Sequence, residues 1–491
     1  MMRLPAAVAE THSAVVFFVG DRAYKLKKPV DLGFLDFTSA EARASACRRE
    51  VLLNRRLAPD VYLGVADVVG PDHEVCDHLV VMRRMPDDRR LSTLVAAGAD
   101  VGDELVGLAR LVAAFHARAR RSPEADRAAG RDALAGRWAA NTAALLAEGE
   151  GILDRDAVLE VDAMATRYLA GRGPLFARRI REGRALDGHG DLLADDIFLL
   201  PDGPRVLDCI EFDEGLRLGD GLADVAFLAM DLERLGRPDL AERFLAAYRE
   251  HAHDTWPASL GHHHVAYRAQ VRAKVSAIRA HQGGGGAASA RSLLALARRH
   301  IEAGAIRVVL VGGLPGTGKS TLATGLGDAL GATVLRSDEL RKELAGVPAC
   351  QPAPAAFGQG LYGPEATAAT YGEMLARAGV ALGLGESVVL DASWTAEPWR
   401  ARARELADGL SADVVEIRCH TDAGQAADRI RRRLAAGGDP SDATPAIAAR
   451  LAGVQDPWLD AIDLDTGDGP GEALMQALAV IAPVPVLSRP R

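Results

Sequence analysis

The sequence predicts an α+β first half, followed by an α/β second half around a parallel sheet. Short β-rich runs crowd the first 88 residues, and helical patterns then run to about residue 300. From about residue 301, apolar strands and helices alternate, and a glycine-rich segment, Gly313-Leu-Pro-Gly-Thr-Gly-Lys-Ser320, occupies the first strand-to-helix junction. The corresponding domains are 1–88, 89–300 and 301–491.

Residues 14–19 (AVVFFV) and 23–26 (AYKL) flank Gly20-Asp21 and predict a hairpin. Thr38 with Glu41 three residues on is a capping-box pattern, opening a helix expected to run to Leu57, before Pro59. Strands are expected at 61–69 and 79–85. Leu105, Leu108, Val112 and Phe115 recur at helical spacing within 103–120, and further helices reach about 182. The turn-rich, acidic segment Leu186–Cys209 interrupts them; helices resume at 219–236, 238–252 and 264–281. Gly283–Gly286 punctuates the chain as the expected seam between halves. Beyond it come a helix at 288–303 and strands at 305–311, 333–336, 386–391 and 413–418.

Composition bounds the function. With 491 residues, 48% of them hydrophobic, the chain can form several packed cores. A formal net charge of −9 argues against a broad nucleic-acid footprint. The cysteines Cys47, Cys76, Cys209, Cys350 and Cys419 stand singly, as suits free thiols in a reducing cytoplasm. No stretch approaches the ~20 apolar residues of a membrane span. Cationic residues are overwhelmingly arginine, so Lys25, Lys27, Lys28, Lys274, Lys319 and Lys342 stand out as places where a compact ammonium is wanted.

The segment Gly313-x-x-x-x-Gly318-Lys319-Ser320, between an apolar strand and a helix start, has the spacing of a phosphate-cradling loop. Gly313, Leu314, Pro315, Gly316, Thr317, Gly318 and the following Thr321 would surround the phosphates of ATP, the glycines letting backbone N–H groups turn inward on them. Lys319 would reach the β- and γ-phosphates, and Ser320 would offer its hydroxyl to Mg²⁺. Asp391 ends the apolar run SVVLDAS, where a carboxylate can orient the metal's hydration shell; a helix cap is the alternative. Asp338 and Arg341, in SDELR, would engage the acceptor hydroxyl and an anionic group, unless Ser337-Asp338 merely caps a helix. Arg429, Arg432 and Arg433, ahead of Gly437-Gly438, read as a closing lid or as a solvated basic face. GLPGTGKS, SDELR, VVLDAS and the arginine-bearing lid resemble the small P-loop kinases of the gluconate kinase, polynucleotide kinase and zeta-toxin group. In that group the aspartate matching Asp338 contacts the phosphate acceptor.

In the first half, His189-Gly190-Asp191, then Asp196 and Asp208, carry a second pattern: a carboxylate to receive a hydroxyl proton and two further carboxylates for Mg²⁺. Glu211 competes with Asp208 for the last role. Lys25 on a strand and Glu50 on the next helix would position ATP phosphates. These residues, with GDGLADVAF (219–227), resemble the aminoglycoside phosphotransferase-like kinases, whose loop reads H-G-D-x-x-x-x-N; Asp196 replaces the asparagine. The whole chain is similar to bacterial proteins described as bifunctional aminoglycoside-phosphotransferase-like and P-loop ATP-binding proteins. The resemblance implies a protein-kinase-like bilobal domain followed by a P-loop NTPase domain.

The expected function is therefore ATP- and Mg²⁺-dependent transfer of a phosphoryl group to a small hydroxylated molecule, a sugar, sugar acid or amino sugar, in the cytoplasm. A nucleotide-sensing protein with one or both halves catalytically degenerate, and a nucleic-acid-end kinase, remain the alternatives. His262-His263-His264 reads as a solvated helix start, since neighbours on a helix diverge by ~100° and cannot share one metal. Lys27-Lys28 reads as a solvated strand end or a phosphate contact. His116 reads as a packing or capping residue, and Trp394, Trp399 and Trp458 as core anchors or pocket walls.

Overall fold

Alternating apolar residues form the hairpin. Ala14–Val19 and Arg22–Lys27 pair antiparallel, Val16 opposite Lys25, with Gly20 at φ 61° in the turn. The structure, a computed structural model, describes residues 7–10, 13–31, 36–349, 351–353 and 358–481; Cys350 lies outside the described residues. The hairpin belongs to a five-stranded sheet ordered Ala7–Glu10, Ala14–Val19, Arg22–Lys27, Val75–Arg83, Tyr62–Val69. All neighbours in it are antiparallel. The helix Ala40–Asn54 packs on the sheet, where Cys47 and Val51 join Ala23, Val80 and Met82 in one apolar cluster. Its cap is Ser39, whose Oγ accepts from the Ala42 N–H at 3.1 Å, not Thr38. Thr38 is already engaged: its N–H donates to Asp36 Oδ1 at 2.9 Å.

Helices follow from Leu91 to Arg181, then the short strands Ala185–Asp187, Ile197–Leu200, Gly203–Val206 and Leu218–Asp220, then helices from Gly221 onward. Sheet first and helices after make this an α+β architecture. The described chain divides into two compact units. The first comprises Met1–Asp162, Phe176–Trp256 and Gly261–His300; the second comprises Ala163–Leu175, Pro257–Leu260 and Ile301–Arg491. Gly283–Gly286 thus falls inside the first unit and is no seam, because the helix after it, Ala287–Ala303, buries Ala290, Leu293 and Ala297.

The triple histidine is also not a solvated helix start. The helix begins at Ala258, so these residues lie within it; His263 is 0% and His264 3% exposed. Trp138 Nε1–H donates to His263 Nε2 at 3.0 Å, and burial pushes the His264 ring down to about 4.

The second unit is built on a parallel sheet ordered Thr333–Arg336, Val388–Asp391, Arg307–Gly312, Asp413–His420, Ile462–Asp465. The last of these strands carries too few apolar residues to stand out in the sequence. Val308 to Val311 are 0% exposed, as a central strand covered on both faces requires. Each such side chain contributes roughly 1.5–3 kcal/mol by burial. Leu322, Ala323 and Leu326 of the helix Lys319–Leu330 close one face and fix the loop between strand and helix.

Candidate functional site

In the second unit the chain leaves the central strand at Gly312 and enters the helix at Lys319, with Gly313, Gly316 and Gly318 at φ 139°, 83° and 83°. L side chains rarely adopt these values. Side chains would also collide there: a Cβ on Gly313 would meet the Cys419 carbonyl, and one on Gly316 the Ala426 carbonyl and, at 3.0 Å, Ile430 Cγ1. Thr317 Oγ1 donates to the Leu314 carbonyl at 2.8 Å, and Thr466 Oγ1 donates to the Thr317 carbonyl at 2.6 Å. Thr466, which no sequence motif marks, therefore locks the loop from the end of the fifth strand. A glycine-rich turn leading into a helix start is the arrangement that binds phosphate.

Asp391 ends the neighbouring strand, 3% exposed. The next helix, Glu397–Gly409, is capped at Ala396, so Asp391 is not a cap. Asp391 Oδ2 accepts from Arg336 Nε at 3.3 Å, while Oδ1 is buried without a hydrogen-bond partner among the described residues. Burial raises its pKa; the Lys319 ammonium and the Ser320 hydroxyl pull the other way. An orphaned carboxylate oxygen beside a hydroxyl and an ammonium fits Mg²⁺, a hard cation that takes oxygen ligands.

Asp338 lies one residue into the helix Ser337–Leu344, whose cap position is Arg336 with no side-chain cap bond, so Ser337 and Asp338 do not cap it. Asp338, Arg341, Lys319 and Pro315 open into one cavity of about 330 Å³. Arg341 is partly committed: its Nη1 donates to the Leu361 carbonyl at 2.7 Å and to Thr367 Oγ1 at 3.2 Å. Trp399 and Tyr371, stacked with ring centroids 5.1 Å apart, form another wall, whereas Trp394 and Trp458 are 0% and 2% exposed core residues. The three lid candidates diverge. Arg429 Nη2 donates to the Thr466 carbonyl at 2.8 Å beside Gly318; Arg433 Nη2 donates to the Ala443 carbonyl at 2.9 Å; Arg432 is exposed.

In the first unit, Lys25 and Lys27 are two residues apart on one strand and so share a face. Glu50, 0% exposed, takes Lys25 Nζ at 2.9 Å and Lys27 Nζ at 2.7 Å. Lys25 also meets Asp208 Oδ1 at 2.6 Å, and Lys27 meets Glu211 Oε1 at 2.5 Å. Alternating charges thus run Asp208, Lys25, Glu50, Lys27, Glu211. Lys27, 2% exposed over the Phe37 ring, is neither a solvated strand end nor a phosphate contact. Glu211 is consumed by that pair, whereas Asp208 keeps its side chain 51% exposed, which favours Asp208 for metal. Asp208 stands at φ 64°, a strained conformation of the kind functional sites retain.

Asp224, from GDGLADVAF, bolts down the His-Gly-Asp loop: its Oδ2 accepts from the His189 N–H at 2.6 Å and its Oδ1 from the Gly190 N–H at 2.8 Å. His116 Nε2 also lies 3.2 Å from Asp224 Oδ2 and its Nδ1 2.8 Å from the Tyr248 hydroxyl. His116 therefore orients the carboxylate that orients the loop. Burial pushes Asp191 up to about 6, opposed by Arg272 and Arg268. Asp196 rises well above the ordinary carboxylate value through burial and the charges of Asp208 and Asp191, while the Lys25 ammonium holds Asp208 low. Mutually repelling carboxylates at one place fit a divalent cation. Among the described residues, however, no three acidic, histidine or cysteine side chains converge closely enough to hold a metal alone, so nucleotide phosphates and water would have to complete the shell.

Residues 308–457 match the family described as an AAA domain. The uncharacterized protein Rv2004c of Mycobacterium tuberculosis (strain ATCC 25618 / H37Rv) is 45% identical over 466 residues, spanning 95% of this chain and 93% of its own. Among solved structures, a choline/ethanolamine kinase family protein from Mesorhizobium loti shares 14% identity, covering 61% of this chain and 88% of its own, with a TM-score of 0.37. A gluconokinase from Sinorhizobium meliloti 1021 shares 20%, covering 36% and 93%, with a TM-score of 0.26.

Proposed function

Because the chain belongs to the same family as the uncharacterized protein Rv2004c of M. tuberculosis, we propose one shared reading: an ATP-dependent phosphotransferase with two nucleotide-binding halves, acting on a small hydroxylated acceptor. The observation that carries it is the opening of Lys319 and Asp338 into one cavity of about 330 Å³, with room for a sugar, sugar acid or amino sugar. In the carboxy-terminal half the loop amides and Lys319 hold the triphosphate. A cavity of about 180 Å³ bounded by Gly318, Thr321, Arg429 and Thr466 receives the nucleoside end. Mg²⁺, held through Ser320 and Asp391, would supply charge neutralisation between the phosphates.

Asp338 accepts the proton of the acceptor hydroxyl as its oxygen bonds to the γ-phosphorus. The bond from that phosphorus to the bridging oxygen breaks, and ADP leaves. Arg341 borders the acceptor, and Arg429 lies against the loop as the lid helix's inward cation. In the amino-terminal half Asp191 plays the proton-accepting role, Lys25 with Glu50 steadies the phosphates, and Asp196 with Asp208 would hold the metal. The test is ADP release over a panel of sugars, sugar acids and amino sugars. Lys319→Ala and Asp191→Ala should each abolish a different activity. Nucleotide binding with no turnover on any acceptor would sink the reading in favour of a sensor.

A further inference from the structure

Buried arginines of the first unit are generally neutralised. Arg179 pairs with Asp220 and Asp254, Arg217 with Asp187, and Arg43 with Asp77. Arg137, Arg268 and Arg272 break this pattern: each is half-buried, and none has a carboxylate ion-pair partner among the described residues. Arg268 Nε donates to the Ala223 carbonyl at 2.9 Å and its guanidinium lies 4.5 Å from the Phe227 ring centroid. Arg137 Nη2 donates to the Ala128 carbonyl at 2.8 Å. These partners are neutral, and they hold the guanidiniums in place without cancelling their charge.

Arg268 and Arg272 stand four residues apart on the helix Ala258–His281 and so project from one face. Arg137 and Arg268 both line a cavity of about 40 Å³ that Gly188, immediately before the His-Gly-Asp loop, also lines. The two carboxylates on its wall are already engaged, Asp220 by Arg179 and Asp224 by His116 and the His189 and Gly190 N–H groups. That space holds about three waters, or one carboxylate or phosphate group. The same Arg268 and Arg272 are the cations felt most strongly by Asp191. A cationic amino group would meet like charge here and lose affinity.

On the phosphotransferase reading above, we infer that the acceptor of the amino-terminal half bears an anionic group, carboxylate or phosphate, seated against Arg137 and Arg268, with Arg272 one helical turn beyond adding its charge, while its hydroxyl faces Asp191. The experiment uses the full chain carrying Lys319→Ala, so that the carboxy-terminal half is silent. Calorimetry and ADP release are measured with gluconate, glucose 6-phosphate, glucose and glucosamine. At least one anion should bind about tenfold more tightly than glucose, with glucosamine weakest, and the preference should shrink as salt rises. The two anions separate the carboxylate from the phosphate source. Arg272→Gln, which disturbs no hydrogen bond among the described residues, and Arg268→Gln should each erase the preference while sparing the affinity for glucose. Equal or absent binding of both anions, tighter binding of glucosamine, or a preference unmoved by both substitutions overturns the inference. Anion-selective binding with no ADP release overturns the kinase reading instead and leaves the anion site standing.

Discussion

Asp191→Asn should raise stability and abolish activity together, in opposite directions from one atom change. Burial lifts this carboxyl from 3.8 to about 6 in the folded chain. At 1.36 kcal/mol per unit, that amounts to about 3 kcal/mol at most, because the half-buried side chain keeps some contact with water. The folded value lies above the unfolded one, so the native state binds the proton more tightly. The resulting stability is complete below about 3.8 and is lost as pH rises through about 6. At pH 7.5 the wild type therefore holds an ionised carboxylate that its site disfavours, and the neutral asparagine does not. The variant should gain up to about 3 kcal/mol at pH 7.5 and roughly half of its pH 7.5 gain at pH 5, read by urea unfolding of the amino-terminal unit with AMP-PNP absent. ADP release in a Lys319→Ala background should fall to the blank. An asparagine variant less stable than wild type at pH 7.5, or a gain that does not change with pH, would refute the reasoning.

Lys27→Ala should destabilise the first unit by about 3–5 kcal/mol, since Glu50 loses its 2.7 Å partner and Glu211 its 2.5 Å partner inside the protein; thermal unfolding measures it, and a loss under 1 kcal/mol would show the charge chain to be idle. Gly316→Ala should eliminate nucleotide binding in the second unit while sparing the first, because a Cβ there strikes the Ala426 carbonyl and the φ of 83° is strained for alanine; calorimetry with the Asp208→Ala chain isolates that site. Asp338→Asn should lower turnover at least about a hundredfold with little change in ATP affinity, and equal losses in both would remove Asp338 from the acceptor side.

What the sequence made legible was the local part of each site. Gly313 to Ser320 are contiguous, so strand, loop and helix start could be read together. Lys25 and Glu50 could be matched because one strand and one helix fix their faces. The partners that depend on distant chain meetings could not: Lys27 and Glu211 are 184 residues apart, and Thr466 reaches the phosphate loop from 149 residues away. The histidines at 262–264 misled for a related reason. Helix starts are read from polar residues, but this helix buries most of its circumference, and His263 and His264 are accommodated as neutral core groups, His263 beside Trp138. The roles of Arg137, Arg268 and Arg272 were likewise invisible, since an arginine's lack of a carboxylate partner exists only in three dimensions.

The central claim is that the chain carries two separate Mg·ATP sites, one on the Gly313–Ser320 loop and one between Lys25 and Asp208. Calorimetric titration of the intact protein with AMP-PNP and Mg²⁺ tests it most directly. The account predicts two equivalents bound, one remaining after Lys319→Ala and none after Lys319→Ala is combined with Asp208→Ala. A wild-type titration that shows no heat at millimolar nucleotide, or one that Lys319→Ala leaves unchanged, would contradict it.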